Sequence, residues 1–280
     1  MAVLSEQAVQ FGPRRQLVGI VTLPGEPDPD RPAILIPNTG VEHRVGPNRL
    51  HVHLCRAFAR LGFATMRLDL SGMGDSGVSR MGSSAQVVAD QRAAMDELER
   101  MGVARRFIPI GLCSGANDVH WLTGADPRVV ASAFIDHYTY PTWRYRLIFL
   151  AQRLFDPRRL LNFIERKLRE LRQSDKEKFR GEDVDYLEQP PQERFNADLG
   201  RFMQRQLPLF FLFTGEYQHL YNYRNQLLDS CPALRRYDRY DLHYFPRCDH
   251  TFTQAHMREK LISALERWLV DRVLPHLSAA

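Results

Sequence analysis

A cysteine stands midway between two glycines in Gly111-Leu112-Cys113-Ser114-Gly115, with the apolar run Ile108-Pro109-Ile110 before it. That spacing predicts a sharp strand-to-helix turn that exposes one reactive side chain, here a thiol. Residues two positions to either side of such a nucleophile must be small, or the strand and the helix collide. Gly111 and Gly115 satisfy this. A helix N-terminus behind Cys113 favours the thiolate, and the backbone N–H of Ser114 faces the point where an oxyanion develops. A second register makes Ser114 the nucleophile, but it sets Leu112 and Ala116 at the small positions, and leucine fits poorly. A plainer reading makes Cys113 a buried small hydrophobe in an ordinary turn, as many free cysteines are.

A thiol nucleophile needs a base, and the base needs an orienting acid. Of the 10 histidines, His250 is the best placed, in Pro246-Arg247-Cys248-Asp249-His250-Thr251-Phe252-Thr253 between the last predicted strand and the last predicted helix. The acid is expected at Glu216, the first carboxylate after the apolar run Leu207 to Phe213. Asp136, after the run Val129 to Ile135, is its main rival, and Asp229 a weaker one. The second oxyanion donor is expected from the backbone of Thr39 or Gly40 in Pro37-Asn38-Thr39-Gly40, a stretch that could equally be a simple turn. Asp75 and Ser76 are expected to stabilise their own loop.

These residues need a scaffold that brings strand ends together. Gln16 to Leu23, Ala33 to Ile36, Phe63 to Leu70, Phe107 to Ile110, Val129 to Ile135, Leu207 to Phe213 and Asp241 to Phe245 read as strands. Helical spacing appears over Asn48 to Leu61, Ser84 to Met101, Asn117 to Leu122 and Gln254 to Leu277. Strands alternating with helices predict an α/β fold with a mostly parallel sheet flanked by helices, its reactive residues at the carboxyl ends of the strands. The glycine-rich Ser71-Gly72-Met73-Gly74-Asp75-Ser76-Gly77 matches neither nucleotide-binding fingerprint. Between about Tyr138 and Asn196 no strand-like run occurs, and Trp143 to Arg180 carries 12 Arg and Lys against 5 Asp and Glu. That stretch reads as an inserted helical cap over 138–196, with the core in 1–137 and 197–280.

The 280 residues suffice for one large domain with an insertion, and 44% hydrophobic and 25% charged residues suit an ordinary globular chain. A net charge of +5 is too mild to imply nucleic acid. The four cysteines, Cys55, Cys113, Cys231 and Cys248, form no CxxC pair, so neither a zinc site nor a disulfide framework is indicated. The start carries no secretory pattern, and no apolar stretch is long enough for a membrane span, which makes the cytoplasm the expected compartment.

The chain resembles α/β-hydrolase proteins over nearly its whole length. More narrowly, it resembles the cysteine-nucleophile hydrolases associated with the exosortase A system. The similarity lies in Arg44-Val45-Gly46-Pro47-Asn48-Arg49, Arg67 to Ser76, Gly111-Leu112-Cys113-Ser114-Gly115-Ala116 and Asp249-His250-Thr251-Phe252. It implies acyl chemistry on esters or thioesters, with cysteine at the elbow and no metal or cofactor. Two departures stand out. The His-Gly common at the oxyanion loop is Pro37-Asn38, and the common Gly-x-x-Asp is Gly215-Glu216-Tyr217-Gln218. The expected activity is a hydrolase working through an acyl-enzyme on Cys113. The alternatives are an acyltransferase that passes the acyl group from a thioester carrier to a small acceptor, and a non-catalytic binding protein. The basic cap could attract coenzyme A or an acyl carrier protein, or could simply be a solvated helical face.

Overall fold

The computed structural model describes residues 4–77, 84–154 and 189–278. Its centre is an eight-stranded sheet: β1 (Ser5–Phe11), β2 (Leu17–Leu23), β3 (Ala33–Ile36), β4 (Thr65–Asp69), β5 (Phe107–Leu112), β6 (Ser132–Ile135), β7 (Leu209–Thr214) and β8 (Tyr240–Phe245). The spatial order is β1-β2-β4-β3-β5-β6-β7-β8. β2 runs antiparallel to both of its neighbours, β1 and β4, and β3 to β8 are parallel to one another.

The short apolar runs explain the centre of the sheet. Every residue of β3, β4, β5, β6 and β7 is buried. Strands covered on both faces need continuous apolar sequence rather than alternation. On one face, α1 (Leu50–Arg60) packs Leu50, Leu54 and Phe58 into a core that also holds Ile34, Ile110, Phe210 and, from the last long helix, Leu265 and Trp268. On the other lie α2 (Ser84–Arg100), α3 (Ser114–Ala125) and α5 (Gln192–Gln204); Met95 and Leu98 of α2 pack with Leu35 and Phe107, and Phe195 and Phe202 of α5 with Phe134 and Phe211. Burying each such side chain contributes roughly 1.5–3 kcal/mol.

Three differences from the sequence reading have local causes. β1 is absent from that reading. It pairs with β2 from Ser5↔Leu23 to Phe11↔Leu17, yet most of it is exposed, so it shows no apolar run to detect. The C-terminal segment is not one helix: α6 (Ala255–Trp268) passes into a π-helical turn over Leu269–Val273 before a final helix, Leu274–Ser278. Of the proposed insertion, residues 155–188 lie outside the described residues. α4 (Trp143–Leu154) is helical as expected, but α5 begins inside the proposed 138–196 boundary and already seats Phe195 in the core. No helix among the described residues is long and apolar enough to cross a membrane.

Candidate active site

The parallel strands bring six loops to one edge of the sheet, those following β3, β4, β5, β6, β7 and β8. Cys113 lies between β5 and α3 with φ 57° and ψ −124°, a conformation costly for a residue with a Cβ. The surroundings enforce it. Its N–H donates to the Ile135 carbonyl (2.9 Å), and its own carbonyl accepts from Ala116 N–H (2.9 Å). A Cβ on Gly111 would lie 2.1 Å from the Gly115 carbonyl oxygen, and one on Gly115 would lie 2.4 Å from that of Asn38. The glycine spacing is therefore a steric requirement on three backbone segments at once. Of the four cysteines, all free, Cys55, Cys231 and Cys248 are buried and Cys113 is partly exposed.

His250 sits in the loop after β8, where the sequence places it. Its backbone N–H donates to Glu216 Oε2 (2.7 Å), while its ring Nδ1 meets Asp136 Oδ2 at 2.7 Å. Glu216 thus holds the main chain of the histidine loop, and the carboxylate that faces the imidazole is Asp136, the rival. Asp136 is fully buried and occupies the first position after β6 with φ 50°. Thr214, at the end of β7, donates its backbone N–H to Asp136 Oδ1 (2.7 Å) and its hydroxyl to Oδ2 (2.7 Å). The ionised carboxylate is acceptor-only, so Nδ1 carries the proton and Nε2 is free for the thiol. Asp229 is elsewhere, paired with Arg235 and with the Tyr223 hydroxyl.

Burial alone would lower the basicity of His250. The hydrogen bonds to Asp136 and Cys113, reinforced by the charges of both, outweigh it and raise the imidazole pKa to about 10. Tyr217, a residue that sequence reasoning does not single out, stacks on this imidazole with ring centroids 4.9 Å apart and planes 21° apart.

The loop after β3 supplies the other wall. Asn38, in place of the usual glycine, has a structural use. Its Nδ2 donates to Asp69 Oδ1 (2.9 Å) and to the Glu42 carbonyl (2.7 Å), and its Oδ1 accepts from Leu70 N–H (2.6 Å). The loop is thereby tied to the end of β4. Thr39 Oγ1 is 3.2 Å from Nε2 of His51, a histidine whose complete burial pulls its pKa down to about 4. Gly40 donates its N–H to Ser114 Oγ (2.7 Å). That bond engages the Gly40 N–H, one of the two oxyanion donors expected from this loop.

Two of the segments that carry the family resemblance, Arg44 to Arg49 and Arg67 to Ser76, meet beside this loop. The Arg44 guanidinium contacts Asp69, Asp75 Oδ2 (2.8 Å) and His43 Nε2 (2.7 Å), and Arg44 N–H donates to Asp69 Oδ1 (2.7 Å). His43, Asp69 and Asp75 are close enough together to ligate a cation. The guanidinium already stands among them and supplies the positive charge. Ser76 Oγ donates to the Asp69 carbonyl (2.7 Å) and accepts from Val18 N–H (2.9 Å), a structural role as expected.

No protein-family model matches the chain, and no curated protein matches it. Solved structures do. An esterase of Pyrococcus furiosus aligns with TM-score 0.62 at 13% identity, covering 96% of this chain and 92% of its own. A cold-adapted esterase from an Arctic intertidal metagenomic library aligns at 0.56 and 15%, covering 97% and 94%. A Xanthomonas campestris protein described as an α/β serine hydrolase without lid aligns at 0.55 and 15%, covering 97% and 95%.

The fold is that of the α/β-hydrolases. Identities this low carry the architecture and leave the chemistry to the residues at the strand ends. At the position where an α/β-hydrolase elbow presents its nucleophile, this chain has Cys113.

Proposed function

We propose that the protein is a cysteine-dependent hydrolase of esters or thioesters, with Cys113 as nucleophile, His250 as base and Asp136 as orienting acid. One observation supports the reading above all others. A single imidazole has a buried carboxylate at Nδ1, and Asp136 and Cys113 together raise its pKa to about 10 against the effect of burial.

The steps follow from that arrangement. The Cys113 thiolate attacks the substrate carbonyl carbon and forms a C–S bond, and the carbonyl electron pair moves to oxygen. The N–H groups of Thr39 and Ser114 stabilise that oxyanion. As it collapses, the alcohol or thiol leaves and takes a proton from His250. The product is a thioester on Cys113. His250, now neutral, removes a proton from water, which attacks this thioester, and Cys113 leaves as thiolate. Asp136 keeps Nδ1–H in place throughout.

Transfer to another acceptor uses the same intermediate. A thiolate exchanges with a thioester at nearly equal energy, so an amine or alcohol could replace water in the second half. Coenzyme A and acyl carrier protein esters belong among the donors tested, together with simple small-molecule esters.

Incubation with p-nitrophenyl acetate or a short acyl-CoA should add one acyl mass to the intact protein, localised to Cys113 by peptide mapping. Absence of the adduct, or an equal adduct on Cys113→Ala, overturns the enzyme reading and leaves a binding protein. Free acid as the product supports hydrolysis; diversion of the acyl group to added amine or alcohol supports transfer.

A further inference from the structure

Tyr217 lies in the 3-10 turn Glu216–His219 that follows β7. That turn is pinned to the histidine loop. Gly215 N–H donates to the carbonyls of Phe245 (2.9 Å) and Cys248 (3.1 Å), Glu216 N–H to that of Cys248 (3.3 Å), and the Glu216 carboxylate accepts from His250 N–H (2.7 Å). A Cβ on Gly215 would sit 2.0 Å from the Pro246 carbonyl oxygen, so only glycine lets the two loops approach this closely. Tyr217 is therefore held against His250 by backbone, and its ring lies nearly flat on the imidazole. Cys113 acts on its phenol by charge and by hydrogen bonding, secondary to burial.

We propose that Tyr217 is a positioning residue for the reactive pair, its ring face holding the His250 imidazolium and its O–H donating to the Cys113 thiolate. The inference rests on the Cys113–His250 reading and adds a member to it. An aromatic face favours a cation stacked on it, and a hydroxyl donor favours an anion. One side chain thus stabilises both halves of the ion pair. Burial, together with the negative charges of Cys113 and Asp136, drives the phenol well above its ordinary pKa and keeps it a donor.

The hydrogen bond has a cost as well as a benefit. It makes the thiolate more abundant near neutral pH but less nucleophilic, since nucleophilicity falls with basicity. It also constrains the direction from which a carbonyl reaches the sulfur. Tyr217→Phe separates the two functions by keeping the stack and deleting the donor; Tyr217→Leu deletes both.

The experiment is the pH dependence of iodoacetamide alkylation at Cys113, followed by peptide mapping on wild type, Tyr217→Phe, Tyr217→Leu and His250→Ala. For Tyr217→Phe the midpoint of the curve should move up by about one pH unit, and the limiting alkaline rate should rise about threefold, following a Brønsted slope of about 0.4–0.5. The curves of variant and wild type should therefore cross. A merely structural role would lower both ends. For Tyr217→Leu the midpoint should rise further, with the thermal midpoint recorded alongside to show that the protein is folded. A Tyr217→Phe curve that superimposes on wild type, while His250→Ala departs from it, overturns the role of Tyr217 alone. A His250→Ala curve that also superimposes overturns the Cys113–His250 pair and this inference with it.

Discussion

Asp136 Oδ2 lies 2.7 Å from His250 Nδ1, 114 residues away in sequence, and the same oxygen accepts the Thr214 hydroxyl. A carboxylate this buried and this fully hydrogen-bonded fixes both the tautomer and the ring plane of the histidine. Asp136→Asn should preserve the packing but allow the wrong tautomer, lowering the rate of Cys113 acylation by p-nitrophenyl acetate about 10³–10⁴-fold. Glu216→Gln retains an oxygen for the His250 N–H and should change the rate less than about threefold, because the lost charge only weakens one backbone hydrogen bond. Stopped-flow acylation of both variants checks this, and a larger loss in Glu216→Gln would return the acid role to Glu216.

The bond from Gly40 N–H to Ser114 Oγ joins the two loops proposed to hold the oxyanion. Ser114→Ala removes the acceptor and frees the loop tip. The loss of one hydrogen bond, about 1 kcal/mol, translates to roughly a fivefold fall in acylation rate. Iodoacetamide labelling of Cys113 should be unchanged, because alkylation forms no oxyanion. Complete loss of acylation with labelling intact would favour Ser114 as the nucleophile.

Gly111 is packed against backbone. Ala at this position would place its Cβ 2.1 Å from the Gly115 carbonyl oxygen and cannot be relieved by a side-chain rotation. Gly111→Ala should cost more than about 3 kcal/mol or prevent accumulation of folded protein. Gly200, in the middle of α5, has open space within 4 Å of the point a Cβ would occupy and is the matched control. Gly200→Ala should stabilise by roughly 0.5–1 kcal/mol through helix propensity. Thermal melts of the two variants test the contrast.

Much of this site is legible in the amino-acid sequence. Gly111 and Gly115 announce a collision that Cys113 has to turn around, and His250 stands after the last strand run. The sheet strands announce themselves because β3, β5 and β7 are buried on both faces and so must be continuously apolar. The acid is less legible for a physical reason. Glu216 and Asp136 both follow strand runs, and the choice between them depends on which way each side chain leaves its strand. Only the positive φ at Asp136 and the Thr214 clamp aim that carboxylate at the imidazole. Neither leaves a periodic trace. Tyr217 is hidden likewise, since a tyrosine after a strand is usually core, and its partners lie in loops 33 and 104 positions away.

Two histidines set opposite limits on stability. His137 is buried with neither ring nitrogen hydrogen-bonded among the described residues, and stacks on Phe134 at 4.8 Å. Burial, and secondarily His120, hold its pKa well below 6.5. The unfolded chain takes up a proton there that the folded protein refuses, so stability falls as pH drops below about 6.5. His250 has the reverse sign. Its folded pKa is raised from 6.5 to about 10, so its contribution is complete below 6.5 and is lost as pH rises through about 10. Thermal midpoints should therefore decline on both sides of near-neutral pH. His137→Phe should make the acid limb shallower, with a residual slope from His51 and His120, and leave the alkaline limb unchanged; His250→Ala should make only the alkaline limb shallower, with a residual slope from groups such as Cys248 and Tyr223, whose pKa values burial raises. A Tm-against-pH series on the three proteins checks this. Identical profiles for wild type and His250→Ala above neutrality would mean that the imidazolium is not held by Asp136 and Cys113.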